Sequence, residues 1–379
     1  MTALARIRQR DWRSLTRQQL FWPLLILVAL LLFNLPFTPN FFSIGVRNGH
    51  LYGSLVSILY FGTVPILVAL GMTLVIATGG IDLSVGAVMA ISGAIACRLI
   101  SHAADQNSVS LVLEAMGLAL LASLAAGLFN GLMVARAGVQ PIVATLILMV
   151  AGRGIAQLIT SGFILTELSK PYGVLGGYAA TVPTGVFIVI GFVAVAAVLT
   201  RRTALGLLVE SVGGNAEASR LAGVRAQRIK VMVYLFCALC AGVAGLWNSS
   251  SLGGADANNA GLWIELDAIL AVVIGGTPLT GGRFSISGTV VGALILQTLK
   301  TTIFTIGIPA QANMVFEAVV VIIICLLQST DFRRRVARLL RPGAARGRPV
   351  GPVGPDGPTA PDQRPAQAAV SPESVEIPS

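Results

Sequence analysis

An otherwise apolar sequence is interrupted at a few places by residues that could do chemistry. In GGIDLSVG, Gly79 to Gly86, the glycines permit a tight turn and Asp82 or Ser84 is placed to cap the N–H groups of a following helix. A polar break of this kind inside a membrane also exposes a helix N-terminus to a water-filled cavity, where backbone donors meet a polar solute. Further on, GGADANNAGLWIELDA, Gly253 to Ala268, gathers Asp256, Asn258, Asn259, Trp263, Glu265 and Asp267. Those residues offer acceptors, amide donors and an aromatic face, the groups that hydroxyls and ring C–H faces of a carbohydrate call for. Read more plainly, the same run is a solvated loop whose Glu265 and Asp267 complement the dipole of the next helix.

Isolated ionisable residues form a third group. Arg153 and Glu317 fall inside apolar stretches, where a charge is costly and suggests function, a buried ion pair or a side chain that reaches the interface. Asn130, Gln140 and Gln157 are softer polar candidates for a passage through the protein. Catalysis and metal binding have little to draw on. The sequence contains no G-x-x-x-x-G-K-[ST], G-x-S-x-G or H-E-x-x-H, and only two histidines, His50 and His102. No catalytic or metal-ligating residue is therefore assigned, and no cofactor is expected in this chain.

The elements that must position these residues are membrane helices. Of the 379 residues, 55% are hydrophobic and only 11% charged, too little polar surface to cover a soluble globule. Apolar runs at 21–39, 54–78, 83–100, 111–135, 140–162, 181–200, 229–250, 264–277, 285–306 and 312–329 predict an all-α, polytopic membrane protein of about ten transmembrane helices. The run at 264–277 is short for a full crossing and suits a tilted or re-entrant helix.

Basic residues test this map independently, because Lys and Arg collect on the cytoplasmic side. With the N-terminus inside, all of the 26 basic residues except Arg47, Arg98, Arg153, Lys170 and Lys300 fall in cytoplasmic segments. Both termini are then cytoplasmic. The net charge of +10 reads as a topology signal with some attraction to anionic lipid headgroups, rather than a nucleic-acid footprint. The basic-then-apolar start lacks a small-residue cleavage site and is read as an uncleaved first span.

The chain thus divides into a basic arm at 1–20, a transmembrane domain at 21–330 and a tail at 331–379, Pro- and Gly-rich and expected to be disordered and cytoplasmic. Cys97, Cys237, Cys240 and Cys325 all lie in expected spans, so the C-x-x-C of Cys237 and Cys240 reads as small packing residues. Gly127/Gly131 and Gly288/Gly292 form small-xxx-small faces for close helix approach. GGIDLSVG also has an echo in GGTPLTGG, Gly275 to Gly282, each run lying between two spans. The polar stretch from Arg201 to Lys230 has a break at Gly213 and Gly214, then Asn215 as N-cap of a short amphipathic helix that ends at Gly223.

Taken together, GMTLVIATGGIDLSVGAVMAISG (Gly71 to Gly93), PIVATLILMVAGRGIAQLIT (Pro141 to Thr160), VGGNAEASRLAGV (Val212 to Val224) and ELDAILAVVIGGTPLTGGR (Glu265 to Arg283) resemble the permease subunits of bacterial ABC importers for monosaccharides. That family includes ribose, xylose and galactose systems. The run from Gly254 to Gly276 looks most like the galactofuranose type, and the likeness covers roughly residues 20 to 330.

The resemblance implies a bacterial inner-membrane location and three partners: a separate ATPase subunit that binds ATP and Mg, a second permease subunit, identical or different, and a periplasmic sugar-binding protein. It also implies that Gly213, Gly214, Asn215, Glu217, Arg220 and Gly223 form the coupling helix seated on the ATPase. From the residues alone, an ion- or proton-coupled secondary transporter using Asp82, Arg153 or Glu317 stands as an alternative, as does a scaffold membrane protein.

Overall fold

The computed structural model describes residues 20–307 continuously, and 309, 315, 316, 318, 319, 321, 322 and 326 beyond them. The expected arm before Leu20, most of the tenth span, Glu317, Cys325 and the tail lie outside the described residues.

Every other expected span is a helix. These are α1 (Phe21–Phe37), α2 (Ser54–Ala77), α3 (Val85–Ser101), α4 (Val109–Ala135), α5 (Pro141–Thr160), α7 (Thr184–Arg201), α10 (Ala226–Leu252), α11 (Ile264–Ile274) and α12 (Ile286–Ile306). Three short helices stand between them: α6 (Lys170–Gly176), α8 (Leu205–Gly214) and α9 (Ala216–Leu221). By length and apolarity, α2, α4, α5, α7, α10 and α12 suffice to cross a membrane, while α1 and α3, at 17 residues each, are shorter.

Local chemistry sets the ends. Pro141 opens α5 where a missing N–H costs nothing, and Ser285 caps α12 by accepting the Gly288 N–H at 3.1 Å. Gly253 and Gly307, at φ 65° and 82°, close α10 and α12 in the left-handed conformation that glycine adopts without strain.

The helices are joined by small β elements that the spans did not reveal. β1 (Gly45–Arg47) pairs antiparallel with β2 (His50–Tyr52), β4 (Tyr178–Ala179) with β5 (Val182–Pro183), and β3 (Leu165–Thr166) with β6 (Gly254–Ala255). Each ribbon satisfies backbone groups that no helix reaches, and the Leu51 N–H donates to Thr181 O at 3.0 Å, tying the first two together. They define one end of the bundle, the strand-bearing end. The opposite, basic end carries Arg136, Arg201, Arg202, Arg283 and the α8–α9 stretch.

At the centre, α10 packs against α2, α3 and α4. Lipid-buried helices gain no hydrophobic drive from meeting one another, so close backbone approach has to supply the packing. The contact residues are accordingly small. A Cβ on Gly71 would lie 2.8 Å from the Cys237 Cα, one on Gly131 3.0 Å from the Val231 Cα, and one on Gly127 2.8 Å from Tyr234 O. Both small-xxx-small faces pack as their spacing implies, with Gly292 set against Ala271 of α11 and Gly288 against Gly275, which follows that helix. Cys97, Cys237 and Cys240 are free, buried thiols.

Candidate functional site: two broken crossings

Two crossings are interrupted, and most of the candidate polar residues lie at the interruptions. The first follows α2. Residues 78–84 leave the helix at the basic end, with Gly79 at φ 78°, and turn back so that α3 starts at Val85. Asp82, only 1% exposed, organises this turn. One of its carboxylate oxygens accepts the Ser84 N–H at 2.9 Å and the Ser84 hydroxyl at 2.6 Å. Asn130, from α4, donates to the Ser84 hydroxyl at 2.8 Å and to Asp82 at 3.4 Å, and Thr145 of α5 donates to Ile81 O at 3.3 Å.

The sequence left open which residue caps α3. Ser84 occupies the N-cap position without a side-chain cap bond, because its hydroxyl is turned onto Asp82. Buried around the same turn are the Tyr234 hydroxyl and the Asn130 amide oxygen. Asp82, Ser84 and Asn130 are therefore enclosed together.

The second interruption precedes α11. After β6 the chain runs through residues 256–263 without regular structure, bonded along its length by side chains. Asp256 accepts the N–H groups of Asn258 and Asn259 at 3.0 and 3.3 Å and the Asn259 amide at 2.6 Å. From α5, Arg153 donates to Ala257 O at 3.1 Å and Ala260 O at 2.5 Å, and Gln157 donates to the Asn258 side chain at 2.8 Å. Carbonyls outside a helix have no water to bond in a bilayer, and one guanidinium, with its several donors, serves two of them.

The arm ends on two left-handed residues, Gly261 at φ 65° and Trp263 at φ 64°. For a residue as bulky as tryptophan that conformation is strained, and Trp263 is 53% exposed. Glu265 is buried; a Cβ on Gly86 would lie 2.9 Å from its carboxylate and would overlap Gly261 O. Asp267 pairs with Lys300 of α12 at 2.5 Å.

These contacts give the depth of the arm. Helix α11 has 11 residues and so rises only ~16 Å, about half of the ~30 Å hydrocarbon core. The turn that follows its far end lies at the basic end, where Gly282 N–H donates to Ala77 O at 2.9 Å. At its other end β6 pairs with β3 at the strand-bearing end. The 256–263 arm and α11 thus share one crossing, and the starts of α3 and α11 meet near its middle at Gly86 and Gly261.

At the basic end three glycine runs converge. A Cβ on Gly281 would lie 2.9 Å from Gly79 N and 3.0 Å from Gly213 O, and one on Gly213 would overlap Ala77 O. The two glycine runs that echo one another in the sequence are in contact. Gly213 and Gly214 do not break the chain as the sequence reading has it, since α8 runs through both, and Gly213 is demanded by packing.

Beyond them Asn215 caps α9, accepting the Ala218 N–H at 2.9 Å, and Gly223 follows at φ 85°. Glu217 and Arg220 pair across one exposed turn at 2.6 Å. The hydrogen bond and charge of Arg220 hold the Glu217 carboxyl below its ordinary range. Leu207 and Leu221, 72% and 79% exposed, add apolar surface to this stretch.

Of the sequence candidates, Arg153, Gln157, Asp256, Asn258, Asn259, Trp263, Glu265 and Asp267 belong to the arm and its anchors, while Asp82, Ser84 and Asn130 form the buried turn. Gln140 joins neither group; it sits exposed at the N-cap of α5 without a side-chain cap bond. The sequence reading placed Lys300 near an outer helix end and assigned it nothing. The signal available was a lone lysine in an apolar helix, which requires an acidic partner. Tyr234 carried no signal, being one aromatic among many.

Comparison with known proteins gives a consistent picture. The family described as "Branched-chain amino acid transport system / permease component" matches residues 54–325. The chain is 47% identical over 317 residues to the galactofuranose transporter permease protein of Escherichia coli K12, covering 82% of this chain and 91% of that one. It is 38% identical over 340 residues to the fructose import permease protein of Bifidobacterium longum, covering 88% and 94%, and 38% identical over 321 residues to the ribose import permease protein of E. coli K12, covering 83% and 94%. No solved structure matches the chain.

Proposed function

Because the chain belongs to this permease family, alongside sugar-import permeases, we propose that it is the membrane-spanning permease subunit of an ATP-driven importer and passes a monosaccharide along the exposed side of the 256–263 arm. One observation carries this reading. Asn258, Asn259 and Gln157 are exposed side chains in and beside an arm that occupies membrane depth. Carboxamides facing lipid are costly, so this surface calls for water or a second protein. With Trp263 half-exposed beside them, the group offers hydroxyl partners and a flat apolar face, the pairing a sugar ring requires.

Galactose in its furanose form is the first substrate to test, by the likeness to the E. coli permease of that name. The exposed α8–α9 stretch is the surface that a partner ATPase, with its bound ATP and Mg, would grip. A second permease would complete the passage, and a periplasmic sugar-binding protein would deliver the sugar to the strand-bearing end. The basic end is then cytoplasmic and the membrane is the bacterial inner membrane, as the distribution of arginines favours.

Sugar uptake in cells depleted of ATP, with the ion gradient kept, is the direct test. Uptake should collapse. Persistence under these conditions, with loss on dissipating the gradient, would identify a secondary transporter. The sugar itself is read from thermal shifts of the associated binding protein against galactose in both ring forms, ribose, xylose and fructose.

A further inference from the structure

At the basic end a cavity of about 590 Å³ opens between the start of α1, the end of α7, α8 and the start of α12. Its position is set by three helix termini: Leu20 precedes α1, Arg201 closes α7, and Ser285 caps α12. Spans that begin or end together mark the level at which the chain leaves the hydrocarbon layer, where lipid headgroups lie.

The lining combines two opposite charges. Arg201 on one wall and Glu210 on another have no ion-pair partner among the described residues, where the pairs are Arg220–Glu217 and Lys300–Asp267. Two charges sharing one cavity without meeting leave room for a ligand that is itself dipolar. Ser287 and the first backbone N–H groups of α12 add donors, and such a helix start favours a phosphate. Leu207 and Phe284 supply apolar surface at the same cavity.

We propose that this cavity binds the headgroup of a zwitterionic phospholipid carrying a primary ammonium, its phosphate on Arg201 and the α12 start and its ammonium on Glu210. Competing headgroups fit less well. An anionic glycerol headgroup brings no cation for Glu210. A trimethylammonium group carries positive charge but donates no hydrogen bond, so it forgoes the charge-assisted bond that a primary ammonium makes to a carboxylate. Occupied in this way, the cavity braces α8 against α7 and α12, so the lipid supports the segment that leads to Gly213.

The test uses the full chain extracted in mild detergent, exchanged in turn against phosphatidylethanolamine, phosphatidylcholine and phosphatidylglycerol, with bound lipid counted by native mass spectrometry. Phosphatidylethanolamine should be retained about tenfold more strongly than the other two, the effect of one charge-assisted hydrogen bond. Arg201→Gln should lower retention of all three. Glu210→Gln should remove the preference for phosphatidylethanolamine and leave phosphatidylglycerol bound equally well or better. Equal retention of the three lipids by the unaltered protein, which involves no variant and no question of folding, overturns the proposal. So does a preference that survives Glu210→Gln.

Discussion

The turn at 78–84 and the arm at 256–263 solve the same problem, irregular backbone between apolar helices, in opposite ways. The turn is closed by short side chains from its neighbours, and Asp82, Ser84 and Asn130 are all buried. The arm is held by two long side chains of α5, Arg153 on its carbonyls and Gln157 on Asn258, and leaves Asn258, Asn259 and Trp263 exposed. A closed polar turn is a piece of framework. An arm tethered at few points with its polar groups facing outward is the surface on which the proposed passage rests.

Substitution should separate the two. The largest effect is expected at the tether: Arg153→Ala leaves Ala257 O and Ala260 O without a donor and should destabilise by roughly 3 kcal/mol, at about 1.5 kcal/mol or more for each charge-assisted bond. Sugar uptake should fall with it, and both are checked by thermal unfolding in detergent and by transport in vesicles. Recovery of stability without uptake in Arg153→Lys would sharpen the contrast, since both carbonyls are served by one guanidinium nitrogen and an ammonium with three donors can replace it.

At the turn, Asp82→Ala should cost about 2 kcal/mol by stranding the Ser84 N–H and hydroxyl, while Asp82→Asn, which keeps an acceptor oxygen, should cost less than about 1 kcal/mol. Neither variant should change which sugar is carried. A shift in sugar preference in Asp82→Asn would show that the turn is part of the passage and break the comparison.

Next in size is the glycine seam. Gly213→Ala pushes a methyl into Ala77 O and should destabilise by about 2 kcal/mol, whereas Gly214→Ala meets open space and should stabilise α8 by up to about 1 kcal/mol. Urea unfolding of the two variants side by side reads the difference. For the partly buried pair of Asp267 and Lys300, a double-mutant cycle to Asn and Met should give a coupling of about 1 kcal/mol.

The smallest change in stability is expected in the arm's exposed residues. Asn258→Cys should alter stability by less than about 0.5 kcal/mol. It should react with a membrane-impermeant maleimide, while the buried Cys97, Cys237 and Cys240 stay silent. Absence of labelling from either side of the membrane would place Asn258 against protein rather than water.

The sequence carried the helices well because lipid imposes a length and an apolarity on each, and residues 54–78 or 285–306 leave little choice. It carried the arm in part. The density of Asp, Asn and Trp between Gly253 and Ala268 marked the segment, and the short run at 264–277 signalled an incomplete crossing. What stayed hidden depends on which helices are neighbours. The bonds from Arg153 to Ala257 and Ala260, the pairing of Asp267 with Lys300, and the contact of Gly213 with Ala77 each join residues far apart in the chain. Spacing within one helix says nothing about them. Gly213 and Gly214 illustrate this best: adjacent and alike in sequence, one is locked by its neighbour and the other is free.

The seam where Gly79, Gly213 and Gly281 meet brings main chain directly onto main chain. Flexible side chains between two moving parts would act as padding and absorb the first part of any displacement. Here there is little slack to take up, so a shift of α8 by a fraction of an ångström presses directly on the end of α2 and on the glycine turn between α11 and α12.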